Sequence, residues 1–126
     1  MLTESARMSS AAEARFRIAA QPTKRNVKVI DLDTGTSTDV ARFIDGIGDA
    51  DLVVMIVSAG ATAQAVATIG QACSDRRIMT HTIVVRPALA SDEVLSRTLV
   101  QVRPWSLMVV VANSADYVED ILRSFR

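Results

Sequence analysis

Leu52-Val53-Val54-Met55-Ile56-Val57-Ser58-Ala59-Gly60 is the stretch that decides the fold. Six apolar residues run together with no polar alternation, and small residues then break the run. An alternating strand would leave one face wet. A strand without alternation is buried on both faces, which is the habit of a parallel sheet covered by helices. Its length and β-branched content favour a strand over a short buried helix.

Three further β-rich runs flank it: Val27 to Leu32, Thr80 to Arg86 and Leu107 to Ala112. Between the runs lie Thr38 to Ile47, Thr62 to Arg77 and Ser91 to Val102, with apolar residues at three-and-four spacing. Val40, Phe43, Ile44 and Ile47 mark the first stripe, Ala65, Val66, Ile69 and Cys73 the second, and Val94, Leu95, Thr98, Leu99 and Val102 the third. Such spacing predicts amphipathic helices. The β-then-α rhythm predicts an α/β, three-layer, Rossmann-like domain with a small, mainly parallel sheet of about four strands. Val54, Ile56, Val84, Val109 and Val110 are expected among its buried residues.

Thr38 with Asp39, Ser91 with Asp92 and Glu93, and Asn113 with Asp116 supply capping oxygens and acids for helix starts, and Arg76 and Arg77 suit a helix end. Pro87 and Pro104 are expected to stop the third strand and third helix. A last helix from about Ala115 carries Tyr117, Val118, Ile121, Leu122 and Phe125 on one side, and is expected to pack on the sheet. Ser10 and Glu13 have capping-box spacing ahead of Phe16 and Ile18, so residues 1–25 read as a tail or helix and 26–126 as the single domain.

The 126 residues, 49% of them hydrophobic, suffice for one ordinary core. Lys plus Arg and Asp plus Glu both number 14, so no net field draws in nucleic acid or an anionic membrane, and neither is expected as a partner. No run approaches the roughly 20 apolar residues of a membrane span, and no secretory h-region opens the chain. One cysteine, Cys73, forms no internal disulfide, and with one histidine it builds no ordinary zinc site. A cytoplasmic location follows as the expectation, and no metal or cofactor is indicated.

Ligands of parallel sheets bind beyond the carboxyl ends of the strands. That rule selects Asp31, Asp33 and Thr34 after the first strand; Ser58, Gly60, Ala61 and Thr62 after the second; Arg86 after the third; and Asn113 after the fourth. Gly60 either opens a phosphate-sized loop or permits a tight turn. Asp31 and Asp33 either form a carboxylate pair or begin an Asx turn, and Arg86 is either an anion clamp or a solvated strand end. No P-loop lysine and no G-x-G-x-x-G is present. His81 reads as a locally bonded strand-end histidine, Cys73 as a buried small hydrophobe, and Trp105 as core, rim or interface anchor.

The order of these parts from Asp49 to Leu122 resembles the nucleotide-binding domain of the tubulin family, in particular bacterial FtsZ. Ala50 to Gly60 looks like the strand entering that family's glycine-rich loop, Ala65 to Cys73 like the following helix, and Thr82 to Pro87 like the next strand. Leu107 to Asn113 and Val27 to Thr34 are similar to two further strands. The resemblance implies a nucleotide near Gly60. The chain departs from it at Ala61-Thr62-Ala63-Gln64, where the family has glycines and threonines, and the poorly patterned residues before Val27 are not expected to supply the family's first nucleotide strand. GTP turnover is therefore expected to be undetectable.

These features predict a non-catalytic binding or assembly domain, holding a small anion or nucleotide at Gly60. The alternative is a small enzyme for a phosphorylated or carboxylated metabolite, using Asp31 or Asp33, His81 and Arg86. A homodimer is expected, because strands in sequential order put three crossover helices on one face and leave the other, with the edge at Met108 to Val111, to a second copy. The competing strand order, two-one-three-four, would place helices on both faces.

Overall fold

The structure, a computed structural model, describes residues 25–61 and 64–126. The expected segment 1–25 thus lies outside the described residues except for Arg25. In chain order the elements are β1 (Val27–Asp31), α1 (Ser37–Asp45), β2 (Leu52–Ser58), α2 (Gln64–Asp75), β3 (Met79–Val85), α3 (Asp92–Val102), β4 (Met108–Ala112) and α4 (Val118–Phe125). Short 3-10 turns, Arg103–Trp105 and Ala115–Tyr117, precede β4 and α4.

All four strands are parallel and stand in the order β1-β2-β3-β4. The order two-one-three-four is therefore wrong. Right-handed crossovers between adjacent strands all arrive on the same face, and α1, α2 and α3 do so. Val53, Met55 and Val57 of β2 meet Val66, Ile69 and Cys73 of α2 there, with Val40 and Phe43 of α1 and Val94 and Leu99 of α3 at the margins. The alternate residues Leu52, Val54 and Ile56 point the other way, toward Leu122 and Phe125 of α4.

β2 has every residue from Leu52 to Val57 buried. Such side chains each contribute about 1.5–3 kcal/mol on leaving water, so the run read first is also the energetic centre. The second face is covered in part by this chain itself. A helix about 10 Å across on four strands about 4.8 Å apart spans the middle of that face, and Val27, Val29, Met108 and Val110 at its flanks stay partly exposed. Val109 and Val110 are half-buried, not buried as expected, because β4 is an edge strand.

Local chemistry moved several boundaries. α1 is capped by Thr36, not Thr38: the Thr36 hydroxyl accepts the Asp39 N–H at 3.2 Å and the Asp39 carboxylate accepts the Thr36 N–H at 2.9 Å. A box needs an acid three residues on; Thr36 has Asp39 there, whereas Thr38 has Ala41. Those bonds to Thr36, the backbone one first, hold the Asp39 carboxyl below its ordinary pKa. Ser91 caps α3 as expected, and Ser114, not Asn113, caps the turn before α4. α2 ends where Ile78 N–H bonds Cys73 O and Arg77 N–H bonds Ser74 O, with Arg77 at φ 57°. This is a Schellman ending with an arginine in the slot usually held by glycine.

Candidate functional site

The expected site residues gather unevenly at the carboxyl ends of the strands. After β1 the chain turns through Asp31, whose side chain accepts the Asp33 N–H at 2.9 Å. That is an Asx turn, and it aims Asp33 across the sheet. The Asp33 carboxylate accepts the Ser58 N–H at 3.0 Å and the Ser58 hydroxyl at 2.5 Å. Thr34 follows, exposed, in the same turn.

The loop after β2 has its donors engaged from within. Ser58 N–H goes to Asp33, Ala59 N–H to Val85 O at 2.8 Å, Gly60 N–H to the Thr98 hydroxyl at 2.9 Å, and Ala61 N–H to Ser58 O at 3.1 Å. Thr98 passes its own proton to Val94 O at 3.2 Å. Gly60 has φ 90°, and a Cβ placed on it would stand 3.0 Å from Val94 Cγ1. Glycine is thus required by the backbone and by the close approach of α3. Thr62 lies outside the described residues.

Arg86 is tied to its own loop, donating to Asp92 Oδ1 at 2.6 Å and to Ala90 O at 3.3 Å. Asn113 is exposed at the end of the edge strand, beside the Ala112 carbonyl that accepts Arg86 N–H at 2.8 Å. The structure therefore brings Asp31, Asp33, Ser58 and Gly60 into one hydrogen-bonded unit and engages Arg86 in a separate ion pair.

Chemically, this unit is a lock between β1, β2 and α3. A carboxylate occupies the position beside the Ser58 N–H where an incoming anion would seek its donor. Among the described residues no group of three or more His, Cys, Asp or Glu side chains is placed to hold a metal ion.

His81 is not the locally bonded strand-end residue expected. It lies within β3, is buried, and its Nδ1 has no hydrogen-bond partner among the described residues. Its ring meets Phe125 of α4 edge-on at 4.8 Å. Burial, with the Arg25 charge second, lowers its pKa from the ordinary value. Cys73 is buried in the core as expected, and burial raises its thiol pKa. Trp105 is half-buried, its carbonyl accepting the Thr80 hydroxyl at 2.5 Å and its side chain pressed on Gly70.

Thr98 is the participant that spacing alone did not single out. It stands in the apolar stripe of α3, and a hydroxyl there needs a partner; that was the available signal.

Fold and site define a small α/β domain with a wholly parallel four-stranded sheet and an internally bonded strand-end loop. No protein-family model, curated protein or solved structure matches this chain. None of these comparisons links the chain to the tubulin family. Among the described residues no helix is long and apolar enough to cross a membrane.

Proposed function

We propose that this chain is a non-catalytic Rossmann-like assembly domain, sharing an order of parts with the tubulin family without sharing its ligand chemistry. The observation that carries this reading is the engagement of every backbone N–H from Ser58 to Ala61, one of them by the Asp33 carboxylate. A phosphate loop offers such groups to its ligand. Here an anion would have to displace Asp33 and work against its charge. The enzyme alternative is less favoured, because His81 is buried beneath Phe125 and Arg86 is paired with Asp92.

A thermal-shift screen with GTP, ATP, NAD, inorganic phosphate and acidic metabolites tests the reading. A ligand of the folded state at a hundred times its Kd adds about 2.7 kcal/mol, and each kcal/mol moves Tm by about 4–8 °C in a domain of this size. The expected result is no shift of that order from any of them. A nucleotide-dependent rise of about 10 °C or more, abolished by Gly60→Val, would overturn the reading and restore the nucleotide site.

A further inference from the structure

Among the described residues, four exposed large apolar side chains, Met79, Leu107, Met108 and Val111, lie on or beside one edge of the sheet. That edge is β4. From Leu107 to Ala112 the edge carries no charge, whereas β1, the opposite edge, has Lys28 and Asp31. Natural sheets protect free edges with charges; here only one edge is protected. A groove of about 330 Å3 runs beside β4, lined by Leu99, Arg103, Ser106, Leu107, Val109 and Val111.

The occupant can be read from the hydrogen-bonding alternation. The Ala112 carbonyl turns inward to Arg86 N–H, and along a strand successive residues alternate sides, so Val111 and Val109 present N–H and C=O outward. These two residues flank Val110 symmetrically. A two-fold axis at Val110 sets Val109 opposite Val111 of a second copy, and in an antiparallel ladder such a pair exchanges both bonds.

The adjoining side of α3 has the same symmetry. Leu99 and Arg103 face the groove, and Ser96 and Asp92 continue that stripe toward the helix start at four- and three-residue spacing. Asp92, whose Oδ1 already accepts from Arg86 of its own chain, is acidic at one end and Arg103 basic at the other. An antiparallel copy places opposite charges together, and the chain's formal net charge of +0 adds no general repulsion.

Resting on the assembly reading above, we propose that the edge strand β4 is a homodimer interface, in which two copies pair antiparallel about Val110 and join their sheets into one continuous sheet. Isologous closure then covers the β4 edge of each copy, leaves the charged β1 edges at the two ends of the joined sheet, and limits assembly at this site to two copies.

The test is sedimentation equilibrium of the full chain at micromolar concentration, with three variants. The wild type is expected at twice the 13.6 kDa chain mass. Val111→Pro removes an N–H that faces away from β3, and Val111→Lys sets a charge in the groove; both are expected to be folded by circular dichroism and monomeric. Val110→Cys should cross-link to its own copy under mild oxidation, while the wild type, with Cys73 buried, should not. If either Val111 variant unfolds, the Val110→Cys cross-link decides. A dimer unaffected by the folded Val111 variants, or no cross-link in a dimeric Val110→Cys protein, overturns the interface and leaves the assembly reading standing. A monomeric wild type overturns both.

Discussion

Replacing Asp33 with alanine removes the acceptor of two hydrogen bonds, from the Ser58 N–H at 3.0 Å and the Ser58 hydroxyl at 2.5 Å. Both bonds involve an ionised acceptor, for which about 1.5–3 kcal/mol each is usual. Asp33 is exposed, however, and water can take over both donors, so the lower range for ordinary bonds, about 0.5–1.5 kcal/mol each, applies. A total of about 1–3 kcal/mol follows, or a Tm lower by roughly 4–24 °C. Asp33→Asn keeps one carbonyl oxygen for the N–H and should lose less. The same change should alter ligand response: with the carboxylate gone, millimolar inorganic phosphate should stabilise Asp33→Ala more than it stabilises the wild type. Thermal melts of the three proteins with and without phosphate decide this. An unchanged Tm in Asp33→Ala, or an equal phosphate response in the wild type, would refute the reasoning that Asp33 locks this crevice.

Gly70→Ala should destabilise the fold, because its Cβ would stand 2.6 Å from Trp105 Cβ; overpacking costs about 1–3 kcal/mol, against about 0.5–1 kcal/mol gained in helix propensity. Melting followed by the emission of Trp105, the sole tryptophan, reads it, and a higher Tm would contradict the contact. Arg77→Gly should raise stability by about 1 kcal/mol, since φ 57° strains a residue with a side chain, and a chemical-denaturation midpoint that fails to rise counts against the assigned helix ending. For His81 the folded-state pKa is depressed below its unfolded value of 6.5, so the unfolded chain binds more protons in that interval. Stability is complete above about 6.5 and declines as pH falls below it. His81→Leu should flatten the decline below about pH 6.5, and parallel pH profiles for the two proteins would exclude the effect.

The sheet was legible because β2 declares itself: six uninterrupted apolar residues permit only a strand with both faces covered. One-sided crossovers follow from chain handedness once sequential strands are neighbours, but the strand order itself, open between sequential and two-one-three-four, and the way the second face is covered did not follow from the sequence. Leu122 and Phe125 were visible as an apolar stripe, yet nothing in their spacing said that a single helix would sit mid-sheet and leave the flanks. Capping at Thr36 was readable from Asp39 three residues on, a spacing that Thr38 lacks. The Asx turn at Asp31 was one of two open readings. Its consequence, Asp33 reaching Ser58 across 25 residues of chain, is a tertiary contact that no local pattern encodes. His81 shows the same limit: its burial depends on Phe125, 44 positions away in sequence by the difference of their numbers.

The claim that the strand-end loop is closed by the chain's own groups is tested most directly by the backbone amides of that loop. A 15N-labelled sample titrated with GTP, and separately with phosphate, reports on Ser58, Ala59, Gly60 and Ala61 one by one. With those N–H groups held by Asp33, Val85, Thr98 and Ser58, the account predicts slowed solvent exchange and no saturable shift. Saturable shifts centred on Ser58 and Gly60 would contradict it.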